Sequence, residues 1–230
     1  MNGAGWLMIA RVLEPEAMEA PKEVRQYDAM DHSEVNARFV QDFLSGHGPC
    51  RGGDILDVGT GTARIPIALA QADGRARVLA LDLSAAMLEQ AASNIAAAGL
   101  AHRIRCHLGD AKSLRELFGE GSFEGVVSNT IVHHIPDPEP VLAEMARLVA
   151  PRGTLLVRDL ARPDSHDEIV RLADTYTGSE TPTARALFEA SLGAAFTLDE
   201  IRAIVKSLGR DADEVSMTSD RHWTWGWRRP

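Results

Sequence analysis

Asp54-Ile55-Leu56-Asp57-Val58-Gly59-Thr60-Gly61-Thr62-Ala63-Arg64 decides the fold. Asp54–Val58 is a short apolar run with the acid Asp57 near its end, Gly59 and Gly61 mark a tight turn, and Ile65–Gln71 reads as a helix. A strand that ends in a glycine turn and opens a helix is the start of a βαβ unit, and such a turn lets backbone approach a ligand. Working outward, Arg77–Leu81 reads as a strand, Ser84–Ala98 as a helix and Ile104–Leu108 as a third strand. Phe123–Ser128, a helix over Pro140–Ala150, and Thr154–Asp159 after the turn Pro151-Arg152-Gly153 continue the alternation. Near-continuous apolar strands separated by helices predict an α/β fold, a parallel sheet covered on both faces with right-handed crossovers. Ser84 is placed to cap one helix and Gly99 to end it.

Beyond Asp159 the alternation breaks. Helical stretches follow at Asp167–Tyr176, Thr183–Leu192 and Thr197–Leu208, the last with the capping-box pair Thr197 and Glu200. Glu214–Thr218, a Ser219-Asp220 turn and Arg221–Trp227 read as a closing hairpin, with Trp223, Trp225 and Trp227 on one face as core cover. Ahead of the core, a Pro-punctuated start leads to a helix from about Ser33 to Leu44, with Val35, Phe39, Val40 and Phe43 on one face. The expected organisation is one domain over 1–230: a helical flap (1–45), a core (46–162), a variable helical insertion (163–193), and a last helix with the hairpin (194–230).

Composition narrows the function. The net charge is -9, and no Lys/Arg run exceeds Arg228-Arg229, so the electrostatic footprint of a nucleic-acid binder is missing. The two cysteines, Cys50 and Cys106, read as reduced thiols and supply neither a zinc nor an iron–sulfur ligand set by themselves. Neither a signal-peptide pattern nor an apolar run of about 18 residues is present, which predicts a cytoplasmic protein without membrane contact.

The glycine turn stands at the carboxyl end of its strand, where open α/β sheets bind ligands. A dinucleotide fingerprint wants a third glycine at position 64, and arginine stands there; Asp57 suits a cationic ligand better than a diphosphate. Asp57 through Ala63 resembles motif I of the class I S-adenosylmethionine-dependent methyltransferases, acidic-x-Gly-x-Gly-x-Gly, with Ala63 in place of the third glycine. Asp82 at the end of the second strand, Gly109-Asp110-Ala111 after the third, Ser128-Asn129-Thr130 after the fourth and Pro151-Arg152-Gly153 before the fifth resemble the family's further signatures in order. The resemblance covers about residues 50–160.

The resemblance implies a doubly wound, seven-stranded, mostly parallel Rossmann-like sheet with a terminal antiparallel hairpin. It also implies S-adenosylmethionine as cofactor and S-adenosylhomocysteine as product. Asp82 would take the ribose hydroxyls, Leu83 and Met87 would flank the adenine, Asp110 would receive its amino group, and Ser128 and Asn129 would lie under the methionine end. Asp57, Gly59, Thr60 and Gly61 would form the turn, with Tyr27 as an N-terminal lid. Taken singly, Asp82 and Asp110 also fit ordinary helix N-terminal acids.

His133 and His134, just past the fourth strand, are candidates for a general base, and an imidazole there also fits a role in orienting the loop. Thr130 and His133 stand where some quinone-type relatives carry metal ligands, and without hard oxygen donors no catalytic metal is expected. Arg158 is a candidate anchor for an acceptor carboxylate. No Asn-Pro-Pro-Tyr-like signature of base methylation follows the fourth strand. The expected partner is therefore a small-molecule methyl acceptor rather than nucleic acid. Competing readings are a cofactor-binding protein of the same fold without transferase activity, and an NAD-dependent oxidoreductase.

Overall fold

The computed structural model describes residues 9–16, 18–178 and 180–230, so the first eight residues of the expected flap lie outside the described ones. Helices α1 (Pro21–Asp28) and α2 (Ser33–His47) precede β1 (Asp54–Val58), α3 (Arg64–Ala72), β2 (Arg77–Asp82), α4 (Ala85–Ala97) and β3 (Ile104–Leu108). Then come α5 (Leu114–Leu117), β4 (Phe123–Asn129), α6 (Glu139–Leu148), β5 (Val149–Leu160), α7 (His166–Thr177), α8 (Pro182–Ala194), α9 (Leu198–Ser207), β6 (Val215–Met217) and β7 (His222–Arg228).

The strands form a seven-stranded sheet in the order β3-β2-β1-β4-β5-β7-β6. β1 pairs in parallel with both β2 and β4, and β2 with β3. The chain leaves β1 outward to β2 and β3, then returns to β4 on the other side. That reversal creates the crevice in which ligands of such sheets bind. β7 runs antiparallel to β5, with Arg229 N–H donating to the Gly153 carbonyl at 2.8 Å and Arg152 N–H to that of Pro230 at 3.3 Å.

The chain divides into two compact units. One comprises Ala17–Asn129, Pro138–Val157 and Trp225–Pro230; the other Thr130–Asp137, Arg158–Thr224 and the described part of Met1–Glu16. In the first, Phe39, Val40 and Phe43 of α2 join Ile55, Leu69, Val78, Ile95 and Ile104 in one buried core. Gly125 makes the docking of α2 on β4 possible, since a Cβ there would stand 2.7 Å from the Phe43 ring. Each buried phenylalanine contributes about 1.5–3 kcal/mol. In the second unit Leu160, Ile169, Leu172, Leu192 and Ala195 pack together. No helix among the described residues is long and apolar enough to cross a membrane.

The expected caps are formed: Ser84 Oγ accepts Met87 N–H at 3.1 Å, Gly99 follows α4 with φ +71°, and Thr197 and Glu200 make a reciprocal capping box. Trp223 and Trp225 are fully buried. Three features differ from the sequence reading. Val35 is 40% exposed and lies off the apolar face of α2. Pro151-Arg152-Gly153 is a kink inside the long strand β5, where Arg152 takes φ +63°. Finally, α1, with Pro21 in its first turn, occupies a stretch in which the sequence showed no apolar period.

Candidate active site

The turn after β1 is built on the end of β2. Gly59 N–H and Thr60 N–H both donate to the Leu81 carbonyl, at 2.8 and 2.9 Å. Gly59 (φ +75°) and Gly61 (φ +55°) take backbone conformations that a side chain opposes. Ala63, in the third motif position, adopts φ +63° and caps α3. The turn thus keeps the shape of a three-glycine loop although its third residue carries a Cβ.

Two carboxylates flank this turn. Asp57 is 2% exposed and accepts the Thr60 hydroxyl at 2.7 Å. Burial, with a smaller contribution from Asp82, outweighs that bond and pushes its carboxyl up to about 7. Asp82 Oδ2 accepts Gly61 N–H at 2.7 Å and Oδ1 accepts Ser84 N–H at 2.9 Å. Burial raises its carboxyl too, against those bonds. An ionised carboxylate offers about four acceptor positions, so Asp82 holds the turn and keeps capacity for a ligand hydroxyl. Two buried acids side by side favour a cationic guest and oppose a diphosphate.

Around them the remaining predicted residues fall into place or into other employment. Leu83 is 40% exposed beside Asp82, while Met87 is buried. Gly109 N–H donates to the Asp82 carbonyl at 2.9 Å, and a Cβ on Gly109 would stand 3.1 Å from Leu117 and 3.2 Å from Leu81. Asp110 caps the short turn Ala111–Ser113 by accepting Lys112 N–H at 2.8 Å. Ser128 Oγ is spent on the Val58 carbonyl at 2.9 Å, tying β4 to β1. Asn129 closes β4, half-buried.

Tyr27 lies over the turn: its ring is 4.0 Å from where a Cβ on Gly61 would be. Burial and the nearby Asp82 raise its phenol. The adjacent Asp28 accepts Arg64 Nε at 3.0 Å, Gln90 Nε2 at 3.1 Å and Asn94 Nδ2 at 2.9 Å, and Asn94 also reaches the Thr62 carbonyl at 3.0 Å. α1 is thereby pinned to α3 and α4. Sequence reasoning named Tyr27 and missed this clamp, for which the acid next to it, Asp28, was the available signal.

The histidines belong to the other unit. Thr130, a β-branched residue, takes φ +57° immediately after β4, a strained conformation of the kind concentrated at functional sites. His133 follows, 3% exposed, with Nδ1 2.6 Å from Asp159 Oδ1 and Nε2 3.2 Å from Glu14 Oε1. Its backbone N–H donates to Asp159 Oδ2 at 3.0 Å. Burial alone would push this imidazole down, but Asp159 and Glu14 outweigh it and raise it to about 9. His133 is therefore an imidazolium at neutral pH, with both nitrogens engaged.

His134 differs. Its Nδ1 lies 3.1 Å from the Pro15 carbonyl, an arrangement that places the proton on Nδ1. Burial and the charge of His133 lower it below the ordinary value, so it is neutral at pH 7. Arg11 secures this region by donating to the carbonyls of His133, Ile135, Pro136 and Ala194 and stacking 3.7 Å over Phe196. Arg158 donates through Nε to Thr224 Oγ1 at 2.8 Å and is buried. Glu14, His133 and His134 bring donor atoms within 4.8 Å of one another, with both ring nitrogens of His133 already facing carboxylates. Glu14, Arg11 and Asp159 were not singled out from sequence. An acid ending an apolar strand, as at Asp57 and Asp82, was the signal for Asp159.

Residues 55–153 match the methyltransferase-domain family. Over those residues the chain is similar to the methyltransferase domain, and its strand order is that of the methyltransferase structures it superposes on. The S-adenosylmethionine-dependent methyltransferase of Aquifex aeolicus superposes with a TM-score of 0.66 at 16% identity, covering 93% of this chain and all of that one. A demethylmenaquinone methyltransferase of Desulfitobacterium hafniense is 33% identical over 110 residues, 47% of this chain and 43% of that protein. The 27-O-demethylrifamycin SV methyltransferase of Amycolatopsis mediterranei is 29% identical over 191 residues, 80% of this chain and 65% of that protein. The chain thus spans between two fifths and two thirds of the length of these two curated relatives. Asp57–Ala63 lies within the matched residues.

Proposed function

We propose that this chain transfers the methyl group of S-adenosylmethionine to a small-molecule acceptor. The observation that carries the reading is the Asp82 carboxylate, buried at the end of β2, holding the glycine turn through Gly61 while retaining acceptor capacity. Asp57 answers the need of a cationic amino acid moiety, the exposed Leu83 gives an apolar face for adenine, and Tyr27 covers the turn. Bound there, the cofactor supplies a methyl group already activated on a sulfonium. The protein's share is then orientation and exclusion of water, with no covalent nucleophile required.

For an acceptor that must lose a proton, His134 is the base, because it is neutral with Nδ1 tied to Pro15. His133 acts through the segment's position, held by Asp159 and Glu14. The net charge of -9 and the acceptors named for the relatives both support a small organic molecule over nucleic acid.

Calorimetric titration with S-adenosylhomocysteine tests the reading. Asp82→Ala, in a folded variant, should weaken binding by about 1.5–3 kcal/mol, as for loss of a charged acceptor. Unchanged affinity would sink the assignment, and tighter binding of NAD(H) than of S-adenosylhomocysteine would overturn the cofactor. With an acceptor found by screening phenols and quinols against labelled cofactor, His134→Ala should lower kcat by about 10²-fold or more. An equal loss in His133→Gln and none in His134→Ala would reverse the two roles.

A further inference from the structure

At the other end of β1 from the glycine turn, three side chains with ligand atoms converge. His47 closes α2, Cys50 precedes β1 and Glu124 is the second residue of β4. We propose that His47, Cys50 and Glu124 form a site for a thiophilic divalent cation, zinc by the character of its donors. One imidazole nitrogen, one Sγ and one carboxylate oxygen lie within 4.8 Å of one another, and all three residues are buried.

His47 points to the cation most directly. It is 1% exposed, its ring stacks on Phe43 with centroids 4.9 Å apart, and its Nδ1 is 3.1 Å from Thr154 Oγ1. With Nδ1–H donated to that hydroxyl, the lone pair stands on Nε2, which is buried and has no hydrogen-bond partner among the described residues. A buried nitrogen fixed in tautomer by its neighbour and unused on its other side is what an inner ligand of a metal looks like. Burial keeps the ring neutral, pushing it down to about 4.

The other two donors are held as firmly. Glu124 Oε1 stands 4.0 Å from His47 Nε2, while Oε2 is 3.7 Å from Arg51 Nε and both oxygens accept Arg51 N–H at 3.2 Å. Gly53 leaves room for this side chain, since a Cβ there would come within 3.1 Å of it. Cys50 is fully buried and its N–H donates to Asp73 Oδ2 at 2.8 Å. Burial, then the Asp73 carboxylate, pushes its thiol up to about 12, so a bound cation is what makes a thiolate affordable. Mixed N, S and O donors select zinc over magnesium or calcium, which prefer oxygen alone. Tetrahedral bonds of about 2.0–2.3 Å would bring His47 Nε2 and Glu124 Oε1, now 4.0 Å apart, closer by roughly half an ångström, and three protein donors leave one position for water. On binding, the Sγ–H bond breaks, its proton passes to solvent, and the Sγ–metal bond forms.

Because β1 separates it from the glycine turn by about 15 Å, a cation here would fasten the end of α2 to the sheet and take no part in methyl transfer. It is independent of the methyl-transfer reading. Cysteine count alone argued against zinc in the sequence; His47, three residues ahead of Cys50, and the distant Glu124 supply what a second thiol would have.

The test uses the whole chain, stripped with a chelator, kept reduced with a phosphine and titrated with Zn²⁺ alone or Co²⁺ alone. The expected result is one zinc per chain with a raised Tm, and a thiolate-to-cobalt charge-transfer band. Cys50→Ser should abolish the band, and Cys50→Ser and Glu124→Gln should each weaken zinc binding by more than about tenfold, while Cys106→Ser keeps both properties. Glu124→Gln retains an acceptor for Arg51 N–H and decides the matter where Cys50→Ser fails to fold. No zinc uptake by the folded wild-type chain, a band surviving Cys50→Ser, a band lost in Cys106→Ser, or full zinc affinity in Glu124→Gln would each overturn the proposal.

Discussion

Ala63 shows how a motif tolerates an imperfect residue. It stands at φ +63°, which costs an L-residue about 1–2 kcal/mol relative to glycine. Its fully buried methyl returns about 0.8 kcal/mol, and alanine restricts the unfolded chain by a further 0.4–1 kcal/mol or so. The contributions nearly cancel. Ala63→Gly should therefore leave stability within about 1 kcal/mol of wild type, whereas Ala63→Val, β-branched at positive φ, should cost more than about 2 kcal/mol. Denaturant unfolding checks both, and a destabilising glycine together with a harmless valine would contradict the account. At this scale the sequence was most informative. The tight turn at Gly59 and Gly61 and the acid beside it at Asp82 were legible because backbone shape and strand-end chemistry are local. Ser128 did not, because the Val58 carbonyl it bonds lies 70 residues away in the chain.

Among the elements, α1 was the one hidden. It buries only Val24, so no apolar period betrays it, and its placement depends on Asp28 collecting Arg64, Gln90 and Asn94 from α3 and α4. Arg64 was legible as an obstacle to a diphosphate but not as the partner of an acid 36 residues earlier. The sheet, in contrast, was readable to within about a residue except at the start of β5, because apolar strands and capped helices advertise their own boundaries. Asp28→Ala leaves three donors without their acceptor and should cost about 1.5–3 kcal/mol. Hydrogen exchange should show α1 opening faster than α2, with weaker S-adenosylhomocysteine binding as Tyr27 loses its seat. Unchanged α1 protection in that variant would refute the clamp.

Over the whole molecule, what stayed illegible is what the chain assembles from afar. Glu14, His133 and Asp159 come from three separate stretches gathered into one unit, and no spacing rule joins them. Their charges predict how the fold responds to pH. The His133 imidazolium is raised to about 9 between Asp159 and Glu14, despite its burial, against about 6.5 in an unfolded chain. A folded pKa above the unfolded one gives stability that is complete below pH 6.5 and lost as pH rises through about 9. The loss should amount to about 3 kcal/mol. Unfolding free energies at pH 6, 7.5 and 9.5 should fall in wild type and stay nearly level over that interval in His133→Gln. Glu14→Gln, which removes one of the two carboxylates, should retain part of the fall, completed at lower pH. A flat wild-type profile would mean that the imidazole is neutral in the folded protein, and His133 would then recover its claim to be the base.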